Sequence, residues 1–376
     1  MIQPIENMRQ LKIIISGGGS GGHIFPAIAI AKSIAQKSKN VDFLFVGASD
    51  KMEMEKVPNE GFKIVGLWIS GFHRGEIIRN LFFPIKLFFS LIKSIFLIIS
   101  YKPDLVIGTG GFASGPILYV AAKFGVPTLI QEQNSYAGIT NKILSKYVDL
   151  ICVAYENMQR FFTKEKIVLA GNPIRKNIID INRDEKEIKS LFNLKSENKT
   201  VLIIGGSLGA LSINETIEIG LKKLKENNLN VIWQTGTGFS QRANKKINEI
   251  NTQGITSHQF IKKIELAYEA ADIIVSRAGA IAISELCVIG KPTILIPSPN
   301  VAENHQHKNA QSLVDKNAAL LVEDSDASNK LVKEIIDLKN NSFLMNELGQ
   351  NIKKLEYKNA SDIIADHALN LITNEY

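Results

Sequence analysis

His23 is the residue of this sequence whose position best suits acid–base chemistry, because it stands directly after the glycine-rich run Gly17–Gly22, where a predicted helix begins. The positive end of a helix dipole disfavours an imidazolium, so we expect this ring to be neutral and able to accept a proton. A neutral imidazole is what a general base needs. The alternative is that His23 only caps the helix or orders the loop.

Several loops rich in glycine or other small residues each follow a predicted strand and precede a predicted helix. Glycines let backbone N–H groups approach an anion, and the helix dipole favours a phosphate there. One phosphate needs one loop, so several loops indicate a diphosphate or two phosphorylated substrates. The alternative is that the glycines only make tight strand-to-helix turns. The loops are Gly17–Gly22, Gly110–Gly115, Gly205–Ala210 and Ala278–Ala280.

The first loop also matches the dinucleotide-binding pattern, with Gly17, Gly19 and Gly22 at the required spacing. That fold needs an acidic residue at the end of the second strand to hold a ribose, and here the second strand ends at Val46 and Gly47. A P-loop is excluded, because no GxxxxGK followed by Ser or Thr occurs. We therefore disfavour a nicotinamide or flavin and expect no cofactor.

The loops must be positioned by alternating strands and helices, which predict an α/β fold with parallel sheets covered on both faces. At 376 residues the chain exceeds one ordinary core. A predicted strand followed by a glycine loop occurs at Leu11–Ser16 and again at Val201–Ile204. We predict two Rossmann-like doubly wound domains, 1–170 and 171–360, facing a deep cleft that holds the site, with a helix in 361–376 packing back on the first.

The composition describes a folded chain from a reducing compartment. Hydrophobic residues make up 45% and charged residues 22%, which excludes disordered and fibrous classes. The two cysteines, Cys152 and Cys287, allow at most one bridge, unlike a secreted disulfide scaffold. Neither a signal peptide nor a transit peptide is visible at the start of the sequence. We expect the protein to stay inside the cell.

Basic and aromatic residues are concentrated in residues 61–103, which carry six basic side chains against one acid, and nine aromatic side chains. The lysines alternate with Leu, Ile and Phe at helical spacing, which favours an anionic membrane surface as partner and no nucleic acid. Residues 81–100 are long enough to cross a membrane, but Pro84, Lys86 and Lys93 interrupt them. We predict a helix lying on the membrane surface. The alternative is a core helix.

Six segments stand in a fixed order: Gly18–Pro26, Gly110–Pro116, Gln131–Asn134, Gly171–Arg175, Gly205–Ala210, and Arg277–Ala280 with Ser284 and Glu285. Together they resemble the MurG family, the UDP-N-acetylglucosamine:undecaprenyl-pyrophosphoryl-MurNAc-pentapeptide N-acetylglucosaminyltransferases that make lipid II for peptidoglycan. The resemblance implies a GT-B architecture and an inverting transfer of GlcNAc from UDP-GlcNAc to the C4 hydroxyl of MurNAc in lipid I. It also implies peripheral attachment to the cytoplasmic face of the inner membrane, with other cell-wall synthesis proteins as candidate partners.

The resemblance assigns roles to individual residues. His23 would be the base, Glu285 would hold the ribose hydroxyls, and the backbone of Ile261 would meet the uracil. Leu208 and Phe112 depart from the family, which has glutamine and tyrosine there. The implied UDP-GlcNAc residues are Ser20, Gly21, Gly22, Asn134, Arg175, Ser207, Ile261, Ala280, Ile281, Ala282, Ile283, Ser284, Glu285 and Gln306, and the implied acceptor pyrophosphate loop has Gly110, Gly111, Ser114 and Gly115.

Other functions are less consistent with the sequence. Asp324 and Asp326 have the spacing of a metal-binding Asp-x-Asp, but they lie in a polar turn where such residues cap a helix, so we expect no metal. Glu285 alone could merely favour a helix dipole. A glycosidase would need two carboxylates, and the glycine loops of the first domain supply none. The remaining rivals are a UDP-GlcNAc 2-epimerase, another lipid glycosyltransferase and a non-catalytic membrane scaffold.

Overall fold

The computed structural model describes residues 9–71, 80–175, 178, 185–206, 208–251, 253–301 and 304–373. Within them the chain forms two compact units. The first extends to Ile174 and resumes at Asn359, and the second is Arg175–Lys358. Each unit has its own parallel sheet and its own hydrophobic core.

The first unit alternates strands and helices along the chain. Its strands are β1 (Leu11–Ser16), β2 (Val41–Ala48), β3 (Lys63–Leu67), β4 (Leu105–Gly108), β5 (Thr128–Glu132), β6 (Leu150–Val153) and β7 (Ile167–Leu169). Its helices are α1 (Gly21–Lys37), α2 (Glu53–Asn59), α3 (Phe83–Tyr101), α4 (Ser114–Lys123) and α5 (Ile139–Leu144), with single 3₁₀ turns at Met158–Arg160 and Lys164–Lys166.

The described strands of this sheet lie in the order β3-β2-β1-β4-β5-β6-β7, and every neighbouring pair is parallel. The chain moves outward through β2 and β3 and then returns to place β4 beside β1, with Ser16 opposite Gly108. At such a switch point the loops after the two central strands leave in opposite directions and open a crevice. The loops that follow Ser16 and Gly108 therefore flank the place where a ligand binds most readily.

The helix α1 forms because apolar residues recur at helical spacing, with Ile24, Ile28 and Ala31 buried against the sheet. The C-terminal helix of the described chain, Ala360–Thr373, packs on α1 within the same core. Ser33 Oγ donates to Asp362 Oδ1 at 2.6 Å across this contact. The last helix is thus a structural part of the first unit.

The second unit repeats the alternation. Its strands are β8 (Lys199–Ile204), β9 (Leu229–Gln234), β10 (Ile255–His258), β11 (Ile273–Ser276), β12 (Thr293–Leu295) and β13 (Leu320–Leu321). Its helices are α6 (Glu185–Leu191), α7 (Leu211–Glu226), α8 (Ser240–Ile250), α9 (Ile264–Ala270), α10 (Ala280–Ile289), α11 (His305–Val314), α12 (Ala327–Asn340) and α13 (Ser342–Lys353), with a 3₁₀ turn at Asp324–Asp326. The helix Ala360–Thr373 is α14.

The described strands of the second sheet lie in the order β10-β9-β8-β11-β12-β13 and are parallel throughout. The order reverses between β8 and β11, so the loops after Ile204 and Ser276 flank this switch point. These are two of the loops that the sequence singles out as anion-binding.

Sequence periodicity did not find the strands β3, β6, β7, β10 and β13, which have two to five residues. The first helix begins at Gly21, inside the glycine run and not directly after it. His23 therefore lies inside its first turn.

Candidate functional site

The orientation of the His23 ring is set by the glycine loop that precedes it. Ser20 is the N-cap of α1, and its carbonyl accepts from the backbone N–H groups of His23 and Ile24. Nδ1 of His23 lies 3.1 Å from the carbonyl oxygen of Gly18 and 3.1 Å from Ser20 Oγ. A carbonyl can only accept, so Nδ1 carries the hydrogen and the neutral ring has its lone pair at Nε2. Nε2 is therefore the atom that can take a proton.

The loop after β4 packs directly against this imidazole. A Cβ at Gly110 would lie 2.9 Å from His23 Cδ2 and 3.2 Å from Nε2, and a Cβ at Gly111 would overlap the carbonyl oxygen of Gly18. Thr109 Oγ1 donates to the backbone carbonyl of His23 at 2.8 Å. Ser114 Oγ donates to Gly111 O at 2.9 Å, so this hydroxyl shapes the loop. The predicted base and the predicted acceptor loop thus meet at the first switch point.

This contact predicts that Gly110→Ala lowers turnover at least roughly tenfold, since it adds a methyl group beside Nε2 at a φ of +93°. The matched control is Gly125→Ala, at a φ of +71° with nothing within 4 Å of the Cβ position. Both changes should cost about 1–2 kcal/mol of stability. Equal turnover of the two folded variants would show that the contact with His23 is irrelevant, and initial rates together with melting curves decide this.

Asn134 lies in a loop that the buried carboxylate of Glu132 organises. Oε1 accepts from the backbone N–H of Asn134 at 3.0 Å and from its Nδ2 at 3.2 Å. Oε2 accepts from the N–H of Gly138 at 3.0 Å and from Asn141 Nδ2 at 2.9 Å. Four donors on one carboxylate hold this loop, and with it the Asn134 carboxamide, in one orientation.

A buried amide network that the sequence analysis missed supports this edge of the sheet. Gln133 Nε2 donates to Thr109 O at 2.6 Å, Gln131 Nε2 donates to Asn172 Oδ1 at 2.8 Å, and Asn172 Nδ2 donates to Gln133 O at 3.0 Å. All three side chains are at most 2% exposed. The sequence did contain a signal for this network, namely two glutamines at the end of an apolar strand, because buried amides need hydrogen-bond partners.

In the second unit, Glu285 is 4% exposed and both of its oxygens have partners. Arg175 donates to Oε1 from Nε at 3.1 Å and from Nη2 at 3.0 Å. The buried Tyr268 hydroxyl donates to Oε2 at 3.2 Å. Burial raises the pKa of the Glu285 carboxyl, and the Arg175 charge with these hydrogen bonds offsets part of that rise. Burial also raises the pKa of Tyr268 well above its usual value. Neither pairing was predicted from the sequence.

The predicted uracil and phosphate segments are joined by one side chain, Gln234, which is 4% exposed at the end of β9. Its Oε1 accepts from the backbone N–H of Ile261 at 2.9 Å, and its Nε2 donates to Gly206 O at 3.0 Å. Ser207, the predicted phosphate contact, lies outside the described residues. Leu208 is 87% exposed beside it.

The remaining residues predicted to bind UDP-GlcNAc lie in α10 and at the start of α11. Ala280 is the first residue of α10, and Ser284 Oγ donates back to Ala280 O at 3.1 Å. Ile283 is buried, so it supports the helix from the core side. Gln306 Oε1 accepts from Ser298 N at 2.9 Å, which fixes the loop after β12.

Asp324 is part of an ion-paired network. Its Oδ1 lies 2.5 Å from Arg277 Nη1 and accepts from Ser212 Oγ at 2.5 Å, while Asp326 pairs with Lys330 at 2.7 Å. Among the described residues, no group of three or more His, Cys, Asp or Glu could hold a metal ion. Asp324 thus ties the 3₁₀ turn Asp324–Asp326 to Arg277 and Ser212.

Helix α3 packs two buried serines and several leucines on the core and exposes large apolar residues on its other side. Ser90, Ser94 and Ile98 are its buried residues, and Ser90 Oγ donates to Trp68 O at 3.0 Å. By length and composition it is the one helix in the described ranges that could cross a membrane. A core helix would bury the residues that we name the α3 apolar face, which are Trp68, Leu81, Phe82, Ile85, Phe88, Phe89, Ile95, Phe96 and Ile99, all exposed.

The lysines of this segment contact the protein. Lys86 Nζ donates to Ser70 Oγ at 3.2 Å and lies 5.9 Å from the Trp68 ring centroid, and Lys93 Nζ donates to Gly66 O at 2.7 Å. Apolar rings therefore dominate the outward surface of α3. Of the basic, acidic and aromatic residues counted in 61–103, Phe72, Arg74, Glu76 and Arg79 lie outside the described residues.

Comparison with known proteins identifies the class of enzyme. Residues 13–153 match the glycosyltransferase family 28 N-terminal domain, and residues 200–365 match the C-terminal domain of that family. Two parallel-sheet units of this kind define a hexosyltransferase of GT-B architecture, which confirms the predicted fold class.

The particular family follows from full-length relatives. A protein of Christiangramia forsetii called UDP-N-acetylglucosamine--N-acetylmuramyl-(pentapeptide) pyrophosphoryl-undecaprenol N-acetylglucosamine transferase is 47% identical over 365 residues, which are 97% of this chain and 99% of that protein. The chain belongs to this family, the MurG family, as its motifs predicted.

Two solved structures show that the same fold occurs in enzymes described by different reactions. The crystal structure of Acinetobacter baumannii MurG is 26% identical, has a TM-score of 0.78 and covers 96% of this chain and 99% of its own. A structure described as a putative UDP-N-acetylglucosamine 2-epimerase from Listeria monocytogenes has a TM-score of 0.68 at 10% identity and covers 98% of each chain. The second likeness shows the fold only, so the choice of reaction depends on the site and on the family.

Proposed function

We propose that this chain transfers GlcNAc from UDP-GlcNAc to the C4 hydroxyl of MurNAc in undecaprenyl-pyrophosphoryl-MurNAc-pentapeptide, converting lipid I to lipid II in peptidoglycan synthesis. The observation that carries the proposal is that transferases of this name are 47% identical to this chain over nearly its whole length. The His23 tautomer beside the Gly110 loop supports it chemically.

In the proposed reaction, the C4 oxygen of the acceptor attacks the anomeric carbon of GlcNAc. The new bond joins O4 to C1, the bond from C1 to the UDP oxygen breaks, and the C4 proton passes to His23 Nε2. A single displacement inverts the anomeric configuration. Backbone N–H groups at the start of α10 and in the loop after β8 stabilise the departing diphosphate.

We assign UDP-GlcNAc and the lipid-linked acceptor to the residues of the family motifs. Glu285 accepts from the ribose, Ile261 and the loop after β8 meet the uracil and phosphates, and Asn134, Gln306 and the start of α1 meet the sugar. The loop after β4 cradles the acceptor pyrophosphate, and because Ser114 Oγ already donates to Gly111, that residue contributes its backbone N–H.

One assay tests the proposal. Radiolabelled UDP-GlcNAc with a lipid I analogue should give a labelled disaccharide lipid, with or without a chelator. A UDP-GlcNAc 2-epimerase would instead convert the labelled UDP-GlcNAc into its C2 epimer, and it would need no acceptor. A label that stays on UDP-GlcNAc with the acceptor present and the protein folded would contradict the transfer.

We further propose that the α3 apolar face rests on an anionic membrane at its cytoplasmic side, where the acceptor's lipid tail is anchored. Phe88 is 60% and Phe96 69% exposed, eight residues apart on one side of the helix. Burying a ring contributes roughly 1.5–3 kcal/mol when complete. The face therefore supplies enough free energy to hold the enzyme at the headgroups.

Phe88→Ser with Phe96→Ser should lower vesicle partitioning by roughly 10- to 100-fold, with little dependence on salt. Transfer to a short-chain, water-soluble acceptor should stay within about twofold, as the protein fold is not involved. The matched control is Ile219→Ser with Phe343→Ser, two residues of the second unit that are 80% and 78% exposed. Co-sedimentation measures partitioning. Equal losses in the two pairs would place the membrane contact elsewhere.

A further inference from the structure

A buried carboxylate lies beneath the glycine loop, and the reaction as described does not use it. Glu53, the first residue of α2, is 0% exposed. It accepts from the backbone N–H of Gly19 at 3.2 Å to both oxygens and from Ala48 N at 2.9 Å. Fully buried carboxylates are rare in proteins and persist where hydrogen bonds satisfy them.

The surrounding backbone is shaped for this side chain. A Cβ at Gly18 would overlap Glu53 Oε1, and a Cβ at Gly47 would lie 2.5 Å from Glu53 Cγ. The two glycines, one in the loop and one in β2, therefore leave the space that Glu53 fills. Since both oxygens accept from Gly19, this carboxylate ties the loop to the end of β2.

The peptide unit between Gly18 and Gly19 connects this carboxylate to the catalytic ring. Its N–H donates to Glu53, and its carbonyl accepts the Nδ1 hydrogen of His23 at 3.1 Å. We propose that Glu53 is a positioning residue for His23 that acts through this one peptide group. The proposal rests on the proposed function, in which His23 is the base.

The physical effect has two parts. A peptide N–H that donates to a carboxylate is polarised, so its carbonyl becomes a better acceptor for the next hydrogen bond. The Nδ1–H tautomer is thereby favoured, and the lone pair stays at Nε2. The negative charge also stabilises the imidazolium that forms when Nε2 takes the acceptor proton, as the buried Asp does in the serine protease triad.

Among the described residues, the two loops that flank the ring carry no charged side chain. The loop Gly17–Gly22 has none, and the segment Thr109–Ala113 has none. Gln131–Asn134 contains Glu132, whose oxygens bind donors of residues 134–141. On α2, Glu55 is exposed and bonds Lys56. Glu53 is thus the carboxylate that is joined to the ring by a single peptide group.

Glu53→Gln keeps the size of the side chain and removes its charge. We expect kcat to fall roughly 10- to 100-fold, less than the roughly 10⁴-fold loss when a directly bonded Asp is replaced by Asn. The KM for UDP-GlcNAc should change less than about twofold. The acid limb of the kcat/KM profile should move to lower pH, because a base without a nearby negative charge is protonated less readily. Long-range ¹⁵N NMR of the imidazole should show a mixture of tautomers in place of the Nδ1–H form.

The matched control is Glu132→Gln, which alters another buried carboxylate bound to backbone amides and should leave the His23 tautomer unchanged. If Glu53→Gln does not fold, Glu53→Asp takes its place, with the same tautomer shift expected. A folded variant that loses kcat but keeps the wild-type tautomer and acid limb would overturn the proposal. If His23→Ala retains full turnover, the proposed base is wrong, which is a separate failure.

Discussion

His23→Ala should lower kcat by roughly 10²- to 10⁴-fold while the affinity for UDP stays nearly unchanged, because the ring acts on the acceptor hydroxyl. Single-turnover rates with the lipid I analogue measure the chemical step, and calorimetry measures UDP binding. His23→Gln should lose as much activity, since an amide can hydrogen-bond but cannot take the proton.

His367→Gln, in α14 of the same unit, is the control and should keep turnover within about twofold of wild type. Unchanged turnover in His23→Ala would mean that the residue only orders the loop between Gly18 and Ser20. A diphosphate is a good leaving group, so the size of the loss also measures how much the reaction depends on a base.

Glu285→Gln should weaken UDP-GlcNAc binding by roughly 10- to 100-fold, because a charged acceptor for the ribose hydroxyls becomes neutral. The preference for UDP-GlcNAc over its deoxyribose analogue should shrink with it. Tyr268→Phe removes one hydrogen bond of Glu285 and leaves its charge, so it should cause a smaller loss. Equal weakening of both donors in Glu285→Gln would show that the carboxylate only supports the helix.

The same carboxylate predicts opposite pH effects on binding and on stability. Burial raises the pKa of Glu285, so this carboxylate becomes protonated at a higher pH than an exposed glutamate would. The affinity of the wild type for UDP-GlcNAc should therefore begin to fall at that higher pH as the pH is lowered. A raised pKa in the folded state contributes stability below the unfolded pKa, and this is lost as pH rises through the folded value. Glu285→Gln should remove both dependences, and titrations of affinity and melting temperature would show it.

The sequence predicted the parts of the site that depend on topology. The loops after β1 and β4, and after β8 and β11, were identified because glycine runs follow apolar strands, and parallel strands bring such loops to one edge. His23 was identified for the same reason. Family motifs added Asn134 and Glu285, which no periodicity would have distinguished from surface polar residues.

The supporting residues could not be predicted, since they depend on contacts between distant elements. Tyr268 reaches Glu285 from α9, a helix of seven residues whose buried face cannot be recognised in so short a segment. Glu53 follows Met52 and precedes Met54 at the start of another seven-residue helix, and a glutamate there normally indicates a solvent-exposed position. In helix α3 two serines are buried while large apolar residues are exposed, which its composition does not reveal.

The first unit is discontinuous in sequence, which sets an order for folding on the ribosome. Its core includes Ile364, Ala365 and Ala368, each 0% exposed, so α1 lacks its partner until the final helix has been made. The second unit is continuous and can close earlier. At about 5–20 residues per second, the roughly 180 residues between the two parts of the first unit take on the order of 10–40 s to synthesise. The domain that begins first is therefore completed last, and loss of the final helix would leave its core open.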